Sequence, residues 1–113
     1  MKLEVGMYVR TIKGICRIKG FASTLYEDYI ENEKGSMIPK EDIIKASHNI
    51  IDLIEVGDYV NGYKVYYCYC GDEDSTGLYI DTEKGRVWLD KPSQIKSIVT
   101  KEQFSQMEYK VVE

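Results

Sequence analysis

Apolar positions in this chain fall in short runs bounded by glycine, proline and charged residues, and the runs come back. Leu3-Glu4-Val5-Gly6-Met7-Tyr8-Val9 reappears as Ile54-Glu55-Val56-Gly57-Asp58-Tyr59-Val60, 51 positions later. Tyr29-Ile30-Glu31-Asn32-Glu33-Lys34-Gly35 returns as Tyr79-Ile80-Asp81-Thr82-Glu83-Lys84-Gly85 at a displacement of 50, and Ile44-Lys45-Ala46 as Ile95-Lys96-Ser97 at 51. Three blocks in one order at nearly constant offset point to an internal duplication.

Each repeat carries the pattern of strands. Tyr8-Val9-Arg10-Thr11-Ile12 and Ile15-Cys16-Arg17-Ile18 flank Lys13-Gly14, a short turn that closes a hairpin. The second repeat follows the same plan around Asn61-Gly62, between Tyr59-Val60 and the run from Tyr63 to Cys70. Glu33-Lys34-Gly35 joins Tyr29-Ile30 to Met37-Ile38, and Glu83-Lys84-Gly85 joins Tyr79-Ile80 to Val87-Trp88-Leu89. Two corresponding loops are expected, Gly20 to Tyr29 and Cys70 to Leu78. Pro39-Lys40-Glu41-Asp42 and Lys91-Pro92-Ser93-Gln94 predict single helical or 3₁₀ turns, each before a short Ile-rich strand.

Four to five short strands with one turn before the last is the plan of a small SH3-like barrel, and Val-Gly-x-Tyr-Val with its following turn is similar to the first hairpin of such barrels. The expected fold is therefore mainly β, a tandem repeat of two small SH3-like β-barrels over residues 1–49 and 50–113. Ser47 to Ile54 has no Gly or Pro and reads as a packed connector that docks the halves together. Thr100-Lys101-Glu102-Gln103 has the form of a capping box and predicts a short C-terminal helix from about 101 to 108. Lys110-Val111-Val112 reads as a final edge strand, and the tail closes the second barrel.

At 113 residues the chain buries a modest core and does not easily enclose a deep catalytic cavity. Its 19 acidic against 15 basic side chains give a net charge of −4, which argues against a grip on phosphate backbones, so no direct nucleic-acid binding is expected. No apolar run reaches membrane-span length, and an acid stands at Glu4 where a signal peptide is apolar; the expected compartment is the cytoplasm. Cys16, Cys68 and Cys70 are too few for a disulfide framework, in keeping with a reducing environment.

Cys68-Tyr69-Cys70 places two thiols on one strand face, but a closed zinc site needs four ligands and the chain adds only Cys16 and His48, without the usual spacings. The single His48 has no nucleophile at a telling distance and reads as a structural histidine in the apolar connector. Adjacent acids at Glu27-Asp28, Glu41-Asp42 and Asp72-Glu73-Asp74 read as solvated turns, and the glycines are scattered singly. No catalytic residue, metal or cofactor is expected, and the chain reads as a binder and not an enzyme.

The least ordinary feature is tyrosine: 10 Tyr against 2 Phe and 1 Trp, six of the ten (Tyr59, Tyr63, Tyr66, Tyr67, Tyr69, Tyr79) between residues 59 and 79 of the second repeat, which also holds Trp88. Strand alternation puts Tyr63, Val65, Tyr67 and Tyr69 on one face and Lys64, Tyr66, Cys68 and Cys70 on the other, with Arg86 and Trp88 sharing a face of the next hairpin. Tyr pairs a large apolar surface with a hydroxyl that seeks a partner, which suits recognition. The candidate partner-binding residues are Tyr66, Tyr67, Tyr69, Arg86 and Trp88, with the acidic loop Asp72, Glu73 and Asp74 meeting a basic surface. The plainer alternative is that Tyr fills a thin core. Ile15-Cys16-Arg17-Ile18 in the first repeat is the aliphatic counterpart of the tyrosine strand.

The chain as a whole resembles small accessory proteins of phages and prophages of low-GC Gram-positive bacteria. The residues that carry the resemblance are Val5-Gly6-x-Tyr8-Val9-Arg10-Thr11, the stretch from Ser47 through Val65, and Ile95 through Phe104, within a similarity spanning 2 to about 110. The resemblance implies segments that vary between members at 19–28 and 66–78, and a role in defeating host immunity by stoichiometric binding, as anti-CRISPR proteins do. The expected partner is a host bacterial defence protein. One alternative is a sponge for a signalling nucleotide, with bases on tyrosines and phosphates met by Arg10, Arg17, Arg86 or Lys64; such a site would call for a homo-oligomer. Another is a phage regulator that touches the transcription machinery.

Overall fold

In the computed structural model, which describes residues 2–70 and 77–107 without the side chains of Cys70, Gln106 and Met107, the first repeated block holds a turn that leads into a strand. Gly6 and Gly57 have φ of +94° and +97°, a region that L side chains resist, and their N–H groups donate to the carbonyls of Ile18 and Val65 at 2.8 and 2.9 Å. The Glu-Val-Gly phrase recurs because each repeat needs this turn to lead into its first strand.

Two compact units result, Met1–Leu53 and Ile54–Glu113. The first holds β1 (Tyr8–Thr11), β2 (Gly14–Ser23), β3 (Asp28–Asn32), β4 (Met37–Pro39), a 3₁₀ turn at Lys40–Asp42, β5 (Ile43–Ser47) and a 3₁₀ turn at Ile50–Leu53. The second holds β6 (Tyr59–Val60), β7 (Tyr63–Cys70), β8 (Leu78–Thr82), β9 (Gly85–Leu89), a 3₁₀ turn at Pro92–Gln94, β10 (Ile98–Val99) and α1 (Lys101–Met107). Both sheets are five-stranded and antiparallel, ordered β4-β3-β2-β1-β5 and β10-β6-β7-β8-β9. Counted within its own unit, each runs fourth, third, second, first, fifth. Among the described residues the fold is mainly β with one short α-helix, α1, after the last strand.

The match extends to an irregularity. Ile18 faces Asn32 and Gly20 faces Glu31, leaving Lys19 as the extra residue of a bulge; Val65 faces Thr82 and Tyr67 faces Asp81, leaving Tyr66 extra. These pairs set Ile18 against Val65 as equivalent positions. β2 continues to Ser23, so the broad loop expected from Gly20 is a continued strand, closed by a turn at Thr24–Glu27.

Met7, Val9, Ile18 and Ile30 form the core of the first unit, with Leu3, Cys16, Ile38, Ile43 and Ala46 packed on it. Among the described residues, Ile54, Val60, Val65, Ile80 and Leu89 are the buried aliphatic side chains of the second. Arg10 is fully buried, and its Nη1 donates to the Leu53 carbonyl at 2.7 Å. Ile51 and Leu53 of the expected connector are buried, yet His48 is a surface side chain, 3.4 Å from a carboxylate oxygen of Glu4.

The capping box at α1 forms as its sequence predicts. Thr100 Oγ1 accepts from the Gln103 N–H at 3.2 Å, and the Gln103 side chain accepts from the Thr100 N–H at 2.8 Å. Asp58 adds an anchor, accepting the Lys101 N–H at 3.0 Å and the Glu55 N–H at 2.8 Å, while Phe104 meets Tyr59 with ring centroids 4.4 Å apart. The expected strand at 110–112 lies outside the described residues. No described helix is long and apolar enough to cross a membrane.

Candidate binding surface

The bulge at Tyr66 re-sorts the tyrosine strand. Uninterrupted alternation puts Val65 with Tyr67 and Tyr69, but the extra residue flips the phase, and Val65 goes to the core side with Cys68 and Ile80. Tyr67 and Tyr69 therefore face away from the core, and Tyr66 stands apart at 55% exposed with the Lys64 ammonium 5.9 Å from its ring centroid.

Cross-strand pairing then builds a surface of two rows. Tyr69, Tyr79 and Trp88 lie side by side on β7, β8 and β9, and Tyr67, Asp81 and Arg86 form the adjacent row. Ring centroids are 5.5 Å apart for Tyr67–Tyr69, 5.6 Å for Tyr69–Tyr79 and 4.5 Å for Tyr79–Trp88, a continuous aromatic contact. Arg86 Nε bonds Asp81 Oδ1 at 3.0 Å, and the guanidinium carbon lies 4.9 Å from the Tyr69 ring centroid. The Asp81 hydrogen bond raises the Arg86 pKa further, against desolvation. Desolvation lifts the Tyr69 phenol above its ordinary range, with the Arg86 charge opposing. The paired ions leave the surface locally neutral and largely apolar.

Sequence reading identified Tyr67, Tyr69, Arg86 and Trp88, and the structure brings these together. It missed Tyr79 and Asp81, although pairing across the Glu83-Lys84-Gly85 turn sets them opposite Trp88 and Arg86. Tyr66 is exposed but does not belong to the two rows. Asp72, Glu73 and Asp74 lie outside the described residues.

The bulge pairs also correct the internal comparison. The counterpart of the tyrosine segment is the later part of β2, because Val65 matches Ile18. In the first unit the two rows read Ala22, Tyr29, Pro39 and Gly20, Glu31, Met37. A sheet of the same order folds with Gly, Ala and Pro where the second unit has Tyr67, Tyr69 and Trp88.

The phosphate-binding set considered for a nucleotide loses Arg10, whose guanidinium is buried on the Leu53 carbonyl. Arg17 Nε donates to the Gly6 carbonyl at 3.1 Å, with its guanidinium carbon 5.4 Å from the Tyr8 ring centroid. Cys16 is a free thiol, and among the described residues no three His, Cys, Asp or Glu gather to hold a metal ion. A cleft of about 260 Å³ in the first unit, lined in part by Lys13, Cys16, Asn32, Glu33, Met37 and Ile38, was not foreseen. Burial, followed by the Glu33 charge, raises the Cys16 pKa, which keeps it a thiol and a poor nucleophile. Comparison with protein-family models, curated proteins and solved structures finds no match for this chain.

Proposed function

We propose that this chain is a non-enzymatic counter-defence protein that inhibits a bacterial immune system by stoichiometric binding of a defence protein in the host cytoplasm. Its scaffold is a tandem of two SH3-like barrels; the shared strand order and the 3₁₀ turn before the last strand of each sheet support that reading. One observation carries the binding role: the second unit places Tyr67, Tyr69, Tyr79 and Trp88 on an outward face where the first unit makes do with Gly20, Ala22, Tyr29 and Pro39. Aromatic side chains beside an Arg are the usual energetic centre of a protein interface. The choice of a defence protein as partner rests on the resemblance of residues 5–11, 47–65 and 95–104 to phage accessory proteins.

Co-expression with a panel of phage-defence systems tests this. One system should lose its protection against phage and yield a stoichiometric complex on size-exclusion chromatography, and Trp88→Ala should abolish both effects. Unchanged protection across the panel overturns the counter-defence role, and full inhibition by Trp88→Ala removes the aromatic rows from it. Nucleotide released on denaturation of the purified protein would turn the reading towards sequestration of a signal.

A further inference from the structure

The most exposed large apolar side chains in the described structure are neither in the aromatic rows nor in the second unit. Leu25 and Tyr26, at 94% and 95% exposed, form the tip of the β2–β3 hairpin. The turn that presents them is fixed. The Thr24 N–H donates to the Glu27 carbonyl at 2.8 Å, and Thr24 Oγ1 accepts from the N–H groups of Tyr26 and Glu27 at 3.3 and 3.1 Å. Turn geometry calls for neither Leu nor Tyr at these positions, where Asn, Asp, Gly and Ser are the usual solutions. Two adjacent apolar side chains held in water by a hydrogen-bonded turn constitute a preorganised anchor.

The surroundings of the tip specify its complement. Glu27 and Asp28 follow it directly, Tyr29 donates its hydroxyl to Glu27 Oε2 at 2.9 Å, and Glu41, with Asp42 beside it, hydrogen-bonds Glu27. Against these carboxylates stands Lys40, whose ammonium lies 5.4 Å from the centroid of the half-exposed Phe21 ring. A membrane with anionic headgroups would repel such a collar, whereas a protein with cationic side chains around an apolar pocket would relieve its crowding.

We propose that the β2–β3 hairpin is a second docking element, inserting Leu25 and Tyr26 into an apolar pocket of a partner protein whose rim is basic. The hairpin belongs to the first unit and uses none of the residues of the aromatic rows. The test places the photocrosslinker p-benzoylphenylalanine at position 26 of the full chain in bacterial cells, identifies the crosslinked protein, and measures its affinity for the purified chain. Leu25→Ser with Tyr26→Ser should leave the melting temperature unchanged, since both side chains are already in water, and weaken binding about tenfold or more. Glu27→Lys with Asp28→Lys should weaken it too, added salt should act in the same direction, and Trp88→Ala should leave the crosslink at position 26 in place. A captured protein that binds the double-serine variant as tightly as the parent overturns the proposal. So does a crosslink to a second copy of this chain alone, co-sedimentation with lipid vesicles in place of protein, or no specific crosslink.

Discussion

Trp88 lies on the backbone of Gly77: a methyl group at 77 would collide with indole atoms Cζ2 and Cη2 and stand 2.7 Å from the Leu89 carbonyl oxygen. The indole must move, and because the carbonyl cannot swing away as a side chain would, the backbone must shift as well. Gly77→Ala should therefore cost about 1–3 kcal/mol, the usual range for overpacking, and shift the Trp88 fluorescence as its environment changes. In a Trp88→Ala background the same substitution should cost less, and a thermodynamic cycle in urea measures the difference. Equal costs in both backgrounds would show that the indole does not rest on Gly77.

Tyr67 separates recognition from stability. It is 60% exposed, so Tyr67→Ala should change folding free energy by only a few tenths of a kcal/mol, within the range of ordinary surface substitutions. As an interface anchor it should cost about 2 kcal/mol of binding, roughly a thirtyfold loss. Arg86→Ala should behave similarly, with a small added effect from the unpaired Asp81. Tyr66→Ala, outside the two rows, is the exposed-tyrosine control and should retain binding. Calorimetry on the folded variants checks all three.

The duplication was legible because each repeated block is tied to a backbone requirement. Glu-Val-Gly encodes a turn with a left-handed glycine, and Asn61-Gly62 takes φ of +54° and +87° as a two-residue hairpin turn demands. The capping box was local and therefore readable. The bulges at Lys19 and Tyr66 were not, because an extra residue is defined by the partner strand and not by its own neighbours. That single feature moved Val65 to the core and shifted the counterpart of the tyrosine segment from Ile15–Ile18 to the end of β2. The Leu25-Tyr26 tip falls in the loop expected between Gly20 and Tyr29, but how far each of its side chains stands in water depends on the β2–β3 pairing and not on its neighbours in sequence. Arg10, with alternating apolar neighbours, gave no sign that its charge would be buried on a carbonyl 43 positions away.

Asp58 and Thr100 together hold α1 in place. Thr100→Ala removes the hydroxyl that accepts the Gln103 N–H and should cost about 1 kcal/mol, the ordinary value of an N-cap. Asp58→Asn keeps the shape but replaces one acceptor oxygen with a donor, opposing either the Lys101 or the Glu55 N–H, and should cost about 2 kcal/mol. Hydrogen exchange should show the amides of α1 losing protection in both variants. A helix equally protected in Asp58→Asn would mean that the Thr100 cap suffices alone.

Glu41 supplies the pH prediction. Its carboxyl titrates above the ordinary range, first because its protonated form hydrogen-bonds Glu27, then because the Glu27 charge repels its ionised form; desolvation and Asp42 add to this. A carboxyl whose folded pKa exceeds its unfolded value binds protons more tightly in the folded state. Its contribution to stability is complete below the unfolded pKa and is lost as pH rises through the folded one. The slope of stability against pH from this site is thus negative across that acidic window, opposite to that of a salt-bridged acid. Glu41 is exposed, so salt should reduce the effect. Carbon-detected NMR titration should give Glu41 a raised pKa that falls towards the usual glutamate value in Glu27→Gln, because the charge repulsion goes with the carboxylate. An unshifted Glu41 in the parent chain, or one indifferent to Glu27→Gln, would show that the two carboxyls do not share a proton.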